Sequence, residues 1–443
     1  MIIRDGAARN SMLRNNILLS GVLKAISLCT SFLIVPITLS YLENESYGIW
    51  LTLSSMAYWI SAFDIGLGNG MRNYLTEAIS QGDMKAGRIY ISSTFLLLSV
   101  IALLIVLVAG PLIFLLDVSS ILNTHCIDNQ HLQFVVMVAL ILTSVNFVVK
   151  NIGFIYVAMQ KYAVNDLLIV GGNVLALFMV YILTKTTQGN LLYVVAAFMA
   201  MPVAIYILGG IPLFIRYPEL RPSLKSVDMG FSRGVIKKSL GFFVIQISSC
   251  LVIFGGSNLF ISHYCGPDSV TTYNIAYKYF NLLTIGYTII IAPMWNAYTD
   301  ARVKNDWHWI SKTFKRAMLI WVLTVLAGGA MLLGANLFFH LWVGDTVLVP
   351  WTVSAAVLAY VTFFNLNNCV TYLLNGLNTI LVQIYTSIIA TLAYLTFVAL
   401  CGKSWSIEGF VICMASCYAV MSLVHLYQCR LIINQKATGI WSR

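Results

Sequence analysis

IYISSTFLLLSVIALLIVLVAGPLIFLL, residues 89–116, runs for 28 residues without a formal charge. At 1.5 Å per residue a helix of that length reaches about 42 Å, more than the roughly 30 Å of a bilayer's hydrocarbon core. In hydrocarbon every backbone amide must be satisfied within the segment, so the stretch reads as a membrane-spanning helix. Comparable runs recur along the whole chain, at 16–40, 47–73, 132–158, 165–186, 190–215, 239–264, 270–298, 314–341, 347–374, 380–401 and 406–432. The fold class expected is therefore all-α integral membrane, with about twelve transmembrane helices. Composition agrees. Of 443 residues 59% are hydrophobic and 9% charged, against about 25% charged in a soluble domain. No polar stretch between the runs is long enough to fold by itself, so function is expected among the helices. The first run is of spanning length and lacks a small-residue cleavage site, which predicts a retained helix rather than a signal peptide.

Orientation follows from Lys and Arg, because short basic connections stay on the cytoplasmic side. With the amino terminus inside, 21 of the 26 basic residues fall in inside segments, Lys185 and Lys403 fall outside, and Lys24, Lys150 and Lys278 fall within spans. Both termini are thus predicted cytoplasmic. The formal charge of +10 then reports topology and attraction to anionic headgroups, not nucleic-acid binding. Nine cysteines form neither a disulfide framework nor a metal-ligand spacing, and six histidines are scattered. No metal or cofactor is expected.

The longest inside loop, YPELRPSLKSVDMGFSRGVIKK at 217–238, divides the chain into near-equal halves, giving 1–216 and 239–443 as two six-helix bundles joined by a cytoplasmic linker. A faint repeat crosses it. At an offset of 223, Tyr41, Ser46, Met71, Asn73, Ala78 and Asp83 meet Tyr264, Ser269, Met294, Asn296, Ala301 and Asp306. Six helices on each side make this a parallel repeat, related by an axis along the membrane normal.

The stretch YLENESYGIW, 41–50, followed by FDIGLGNGMRNYLTEAISQGD, 63–83, resembles the first-hairpin signature of bacterial polysaccharide flippases of the Wzx type, and SVTTYNIAYKYFNLL, 269–283, resembles the same family. These flippases form part of the multidrug/oligosaccharidyl-lipid/polysaccharide exporter superfamily. The resemblance implies two six-helix bundles in a V around a central cavity. It also implies movement of undecaprenyl-diphosphate-linked oligosaccharide from the inner to the outer leaflet of the bacterial inner membrane, with other polysaccharide assembly proteins as partners.

The residues also speak for themselves. Lys24, Asp64, Lys150 and Lys278 lie within spans, where each charge costs about 2.5–3.5 kcal/mol to insert and so faces a cavity or a partner. Ser20, Lys24, Ser27 and Ser31 follow helical spacing, as do Thr143, Asn146, Lys150 and Gly153, and Asn274, Lys278 and Asn281. Polar stripes on apolar helices line water. Lys24, Lys150, Lys278, Asn274 and Asn281 are the expected substrate-binding set, and Asp64 is the candidate for a coupling proton or sodium ion. The competing readings are snorkelling for the lysines and a structural Lys24–Asp64 pair. Tyr273, Tyr277, Phe280 and Tyr287 form an aromatic stripe suited to sugar rings or to packing, and the glycines of GLGNG suit close packing or a hinge. Three lysines against one aspartate favour an anion such as a diphosphate. The alternatives are a multidrug antiporter of the same superfamily and a lipid II flippase. An enzyme acting on lipid-linked sugars would need a substantial outside loop, and the longest, 117–131, is too thin for one.

Overall fold

The computed structural model describes residues 6–62, 67–231 and 256–442. Asp64, the loop from 232 to 238 and most of the expected span 239–264 lie outside them. The described residues are helical apart from short connections, and no strand occurs among them. Two compact units divide the chain, Met1–Gln246 and Ile247–Arg443.

The first unit contains α1 (Gly6–Ala62), α2 (Leu67–Gln81), α3 (Met84–Leu115), α4 (Val118–Leu122), α5 (Asn129–Val149), α6 (Asn151–Ala158), α7 (Tyr162–Thr186) and α8 (Leu191–Arg216). The second contains α9 (Gly256–Cys265), α10 (Pro267–Ile291), α11 (Met294–Val303), α12 (Trp307–Val343), α13 (Trp351–Gly376), α14 (Leu381–Cys401) and α15 (Ile407–Ile433). Nine stretches among the described residues are long and apolar enough to cross a membrane. α10 has the length, at 25 residues, but is too polar to rank among them.

Burial is inverted relative to a water-soluble protein. Leu333 is 89% exposed and Leu400 77%, whereas Thr38, Asn151, Ser354 and Gln428 are fully buried. Such a surface is stable only where lipid is the solvent.

Some expected spans are subdivided, for local reasons. α1 breaks at Glu43, whose φ of 64° and ψ of 174° end one helix and start another, so 16–40 and the part of 47–73 up to Ala62 share one element with a corner. The second of these expected spans ends inside α2, which runs on to Gln81. The span 132–158 is kept: α5 and α6 meet at Lys150, whose backbone is right-handed helical at φ −58° and ψ −20°, within one apolar stretch, Asn129–Ala158. The span 270–298 is divided where Pro293 precedes α11, since proline removes a helix donor.

Each unit sorts its connections to two ends. At one end of the first unit the Tyr41 hydroxyl donates to Gln188 O at 2.8 Å and lies 2.7 Å from Thr187 Oγ1, and the Thr124 hydroxyl donates to Glu45. The connections at 41–46, 117–128 and 187–190 are thereby gathered. Asp117 caps α4 there, and the hydroxyls of Ser119 and Ser120 donating to its carboxylate pull it down to about 2. At the other end 217–228 folds back on the unit: Leu220 is fully buried, Ser223 N donates to Ser92 Oγ at 3.0 Å, and Asp228 N to Ser93 Oγ at 2.8 Å. In the second unit Cys265 Sγ donates to Trp405 O at 3.5 Å at one end. At the opposite end Thr299 Oγ1 donates to Gly376 O at 3.0 Å and Gln428 Nε2 to Trp441 O at 3.1 Å.

Candidate functional site

In the first unit Lys24 stands exposed on α1 with Gly21, Val22, Ala25 and Ile26, and only Leu23 of that turn is buried. Lys150 is half-buried at the junction of α5 and α6, its ammonium 5.5 Å from the centre of the buried Phe147 ring. The polar stripe expected on this helix resolves into two kinds of position. Thr143 is buried and donates to Met199 Sδ at 3.7 Å, and Gly153 packs so closely that a Cβ would lie 2.2 Å from Asn165 Oδ1. Asn146 and Lys150 alone keep partial exposure.

Beside Lys150 lies Asn151, fully buried, whose Nδ2 donates to Phe147 O at 3.1 Å and to Val148 O at 3.2 Å. Opposite it stands Gly68 of the GLGNG stretch, where a Cβ would lie 2.4 Å from the Phe154 ring and 2.7 Å from Asn151 Oδ1. Close helix packing explains that glycine, as small residues let membrane helices approach.

In the second unit Asn274, Lys278 and Asn281 share one half-buried face of α10, while Ile275, Ala276, Tyr279 and Phe280 are buried on the others. Asn274 Nδ2 donates to Asn258 Oδ1 at 2.9 Å on α9 and to Val270 O at 2.8 Å. Lys278 meets no carboxylate within ion-pair distance among the described residues. Aromatic rings continue from this face across three helices. Tyr273 stacks on Tyr277 at 5.9 Å between centroids, Tyr277 lies 6.1 Å from Tyr360 on α13, and Tyr360 lies 5.7 Å from Tyr418 on α15. Of the aromatic stripe on α10, Tyr273, Phe280 and Tyr287 are buried as packing residues, and Tyr277 keeps a partly open face.

Among the buried polar residues that escaped the sequence reading are Asn151, Asn258 and His425. His425 is 1% exposed, with Nε2 2.8 Å from Thr386 Oγ1 and Nδ1 3.0 Å from Asn367 Oδ1, so it ties α13, α14 and α15 together. Only their presence in otherwise apolar runs signals them.

Comparison with solved structures decides the architecture. A multidrug resistance MATE family transporter of the MOP superfamily, in its inward-facing conformation, superposes with a TM-score of 0.76 at 15% identity, covering 95% of this chain and 100% of that one. The chain shares the fold of that transporter. Lipid II flippase MurJ, in an inward closed conformation, shares that fold with a TM-score of 0.68 at 12% identity over 93% of this chain and 87% of MurJ. With nine stretches among its described residues long and apolar enough to span a bilayer, the chain is an all-α, multi-pass membrane protein. In sequence it is 24% identical over 281 residues to a protein of Salmonella typhi named "Putative O-antigen transporter", the match spanning 62% of each chain. A protein of the same name from Salmonella typhimurium is 24% identical over 309 residues, 69% of this chain and 67% of that one. No family model matches. These relatives and neighbours are transporters and flippases by name.

Proposed function

We propose that this MOP-fold protein is a flippase of the Wzx type. It carries undecaprenyl-diphosphate-linked oligosaccharide from the cytoplasmic to the outer leaflet of the bacterial inner membrane by alternating access, with both termini cytoplasmic. The observation that carries the reading is Lys278, a half-buried ammonium with no carboxylate in reach among the described residues, set beside the ring series of Tyr277, Tyr360 and Tyr418. A lone cation in a membrane helix suits a phosphate, and adjacent rings suit sugars. Lys24 and Lys150 are the basic residues within spans of the first unit, and Asn274 and Asn281 extend the polar face on α10. The curated relatives named as O-antigen transporters support the same substrate class.

Transport, not bond chemistry, is the activity. Export of a dianion from a negative interior gains about 4.6 kcal/mol at 100 mV. A cation moving inward through Asp64 would add to that. The halves 1–216 and 239–443 are the working bundles, joined through 217–238, and the remaining assembly proteins of the surface glycan are the functional partners. Deletion of the gene tests the proposal: the surface polysaccharide disappears and its lipid-linked repeat unit accumulates on the cytoplasmic leaflet. An intact glycan together with increased sensitivity to cationic dyes would instead establish a multidrug antiporter, and rescue by a lipid II flippase would place the substrate in peptidoglycan synthesis.

A further inference from the structure

A cavity of about 370 Å³ opens at one end of the second unit, between α11, the turn after α13 and the segment following α15. Its polar wall comes from Arg302, Thr379, Gln435 and Ser442, and its apolar wall includes Trp307 and Ile432. The volume is about ten times the share of one water molecule in the liquid.

Three features narrow what the cavity holds. The first is charge. The Arg302 guanidinium donates through Nη1 to Leu377 O, which leaves its other N–H groups available, since a guanidinium carries five. Both acidic residues nearby in sequence are already engaged: Asp300 pairs with Lys304 at 2.6 Å, and Asp306 accepts from Trp309 N at 2.9 Å to cap α12. Among the described residues Arg302 meets no carboxylate, and no acidic residue lines the cavity. The second feature is depth. Trp295, Trp307, Trp309, Tyr427 and Trp441 concentrate at this end of the unit, with Trp295 against Tyr372, Trp309 against Tyr298 and Trp441 against Tyr427, and such aromatic belts mark the headgroup level of a bilayer. The third is the mixed lining, with donors on one wall and hydrocarbon on the other, which matches a molecule having a polar head and an apolar continuation.

We infer that this cavity binds the phosphodiester headgroup of an anionic membrane lipid, with Arg302 as the principal contact. Arginine forks onto phosphate oxygens in a way that lysine does not. Gln435 and Ser442 belong to the segment after α15, which Gln428 anchors through Trp441 O, so an occupied cavity also clamps that segment against α11. The inference does not depend on what the protein transports.

The full-length protein in nanodiscs of phosphatidylcholine doped with phosphatidylglycerol, examined by native mass spectrometry, provides the test. The wild-type chain is expected to retain phosphatidylglycerol over phosphatidylcholine, and Arg302→Gln to lower that retention by about tenfold, the loss of one charged hydrogen-bonding partner. Arg302→Lys should retain part of it. Ala437→Trp, which fills the cavity from its other wall and leaves Arg302 in place, should abolish it without lowering the Tm. Equal retention by Arg302→Gln and wild type, or by Ala437→Trp and wild type, overturns the inference. Displacement of the lipid by millimolar inorganic phosphate also overturns it, by assigning the site to a free anion.

Discussion

Asp83 and Asp306, 223 residues apart, cap equivalent helices of the two units: each carboxylate accepts the backbone amide three residues on at 2.9 Å, Ala86 N in one case and Trp309 N in the other. The residue before each has a left-handed backbone, Gly82 at φ 76° and Asn305 at φ 56°. Glu43 at φ 64° and Gly266 at φ 87° hold the same offset at the preceding corner. Three positions therefore repeat in backbone conformation or capping role, and at two of them the residue type differs between the units. Replacing an aspartate N-cap by alanine costs about 1 kcal/mol, so Asp83→Ala and Asp306→Ala should each lower the Tm by about 2–4 °C, while the asparagine variants stay near wild type. Thermal unfolding in detergent checks it. A silent Asp306→Ala would show that the cap is decorative there.

Glycine substitution probes the corner at the opposite end of the first unit. A Cβ at Gly189 would lie 2.3 Å from the Tyr41 carbonyl oxygen, a backbone atom that cannot swing aside. Gly189→Ala should cost about 1–3 kcal/mol through overpacking and lower the Tm, whereas Gly21→Ala, with open space around the site, should leave it unchanged. Equal behaviour of the two variants would refute the close approach.

Topology has a direct chemical readout at Cys126, an exposed free thiol whose pKa burial pushes above the ordinary value, with Glu45 nearby adding to the rise. A raised pKa means less thiolate at neutral pH, so labelling of intact cells by a membrane-impermeant maleimide should be slow at pH 7. It should still be accelerating above pH 9. Glu45→Gln should speed it at pH 8, and Cys126→Ser should abolish that label. Reporter fusions after Thr187 and Val343 should lie outside, and those after Pro222, Asn305 and Lys436 inside. A cytoplasmic result at Val343 would break the orientation.

Transport tests the lysines. Lys278→Ala is expected to reduce glycan export on the order of tenfold at normal protein level, given what one charged hydrogen-bonding partner contributes. Lys24→Ala and Lys150→Ala should reduce it less, and Lys278→Arg should be partly tolerated. Asp64→Asn separates a coupling role from a structural one: in the first case the response to the ion gradient is lost, and in the second Lys24→Gln restores export. Full export by all three alanine variants would eliminate electrostatic binding and leave an apolar groove.

The helices were legible in the sequence because hydrocarbon imposes a length and an apolarity that few other structures share. Their interruptions were not. Nothing in the residue type of Glu43 predicts a positive φ. The candidate lysines were legible because a charge in an apolar run is an anomaly that needs an explanation. Asn151, Asn258 and His425 are neutral, and a neutral polar side chain in a membrane helix can be satisfied by its own preceding turn, as Thr30 is by Ile26 O at 2.8 Å. Only three-dimensional packing separates such a residue from Asn258, whose partner Asn274 lies on another helix.

The polarity of α10 has a consequence for how the chain is made. A helix carrying Asn274, Lys278 and Asn281 along one side gains little by leaving the insertion machinery for lipid unaccompanied, since lysine near the middle of a helix opposes partition. Insertion together with a neighbour is the expected outcome, and the hydrogen bond from Asn274 to Asn258 makes α9 the natural escort. On the proposed function, the charge at Lys278 that would hold a phosphate is the same charge that opposes insertion. A leucine at 278 should raise the yield of inserted protein and silence it, so abundance alone would rank the inactive chain above the working one.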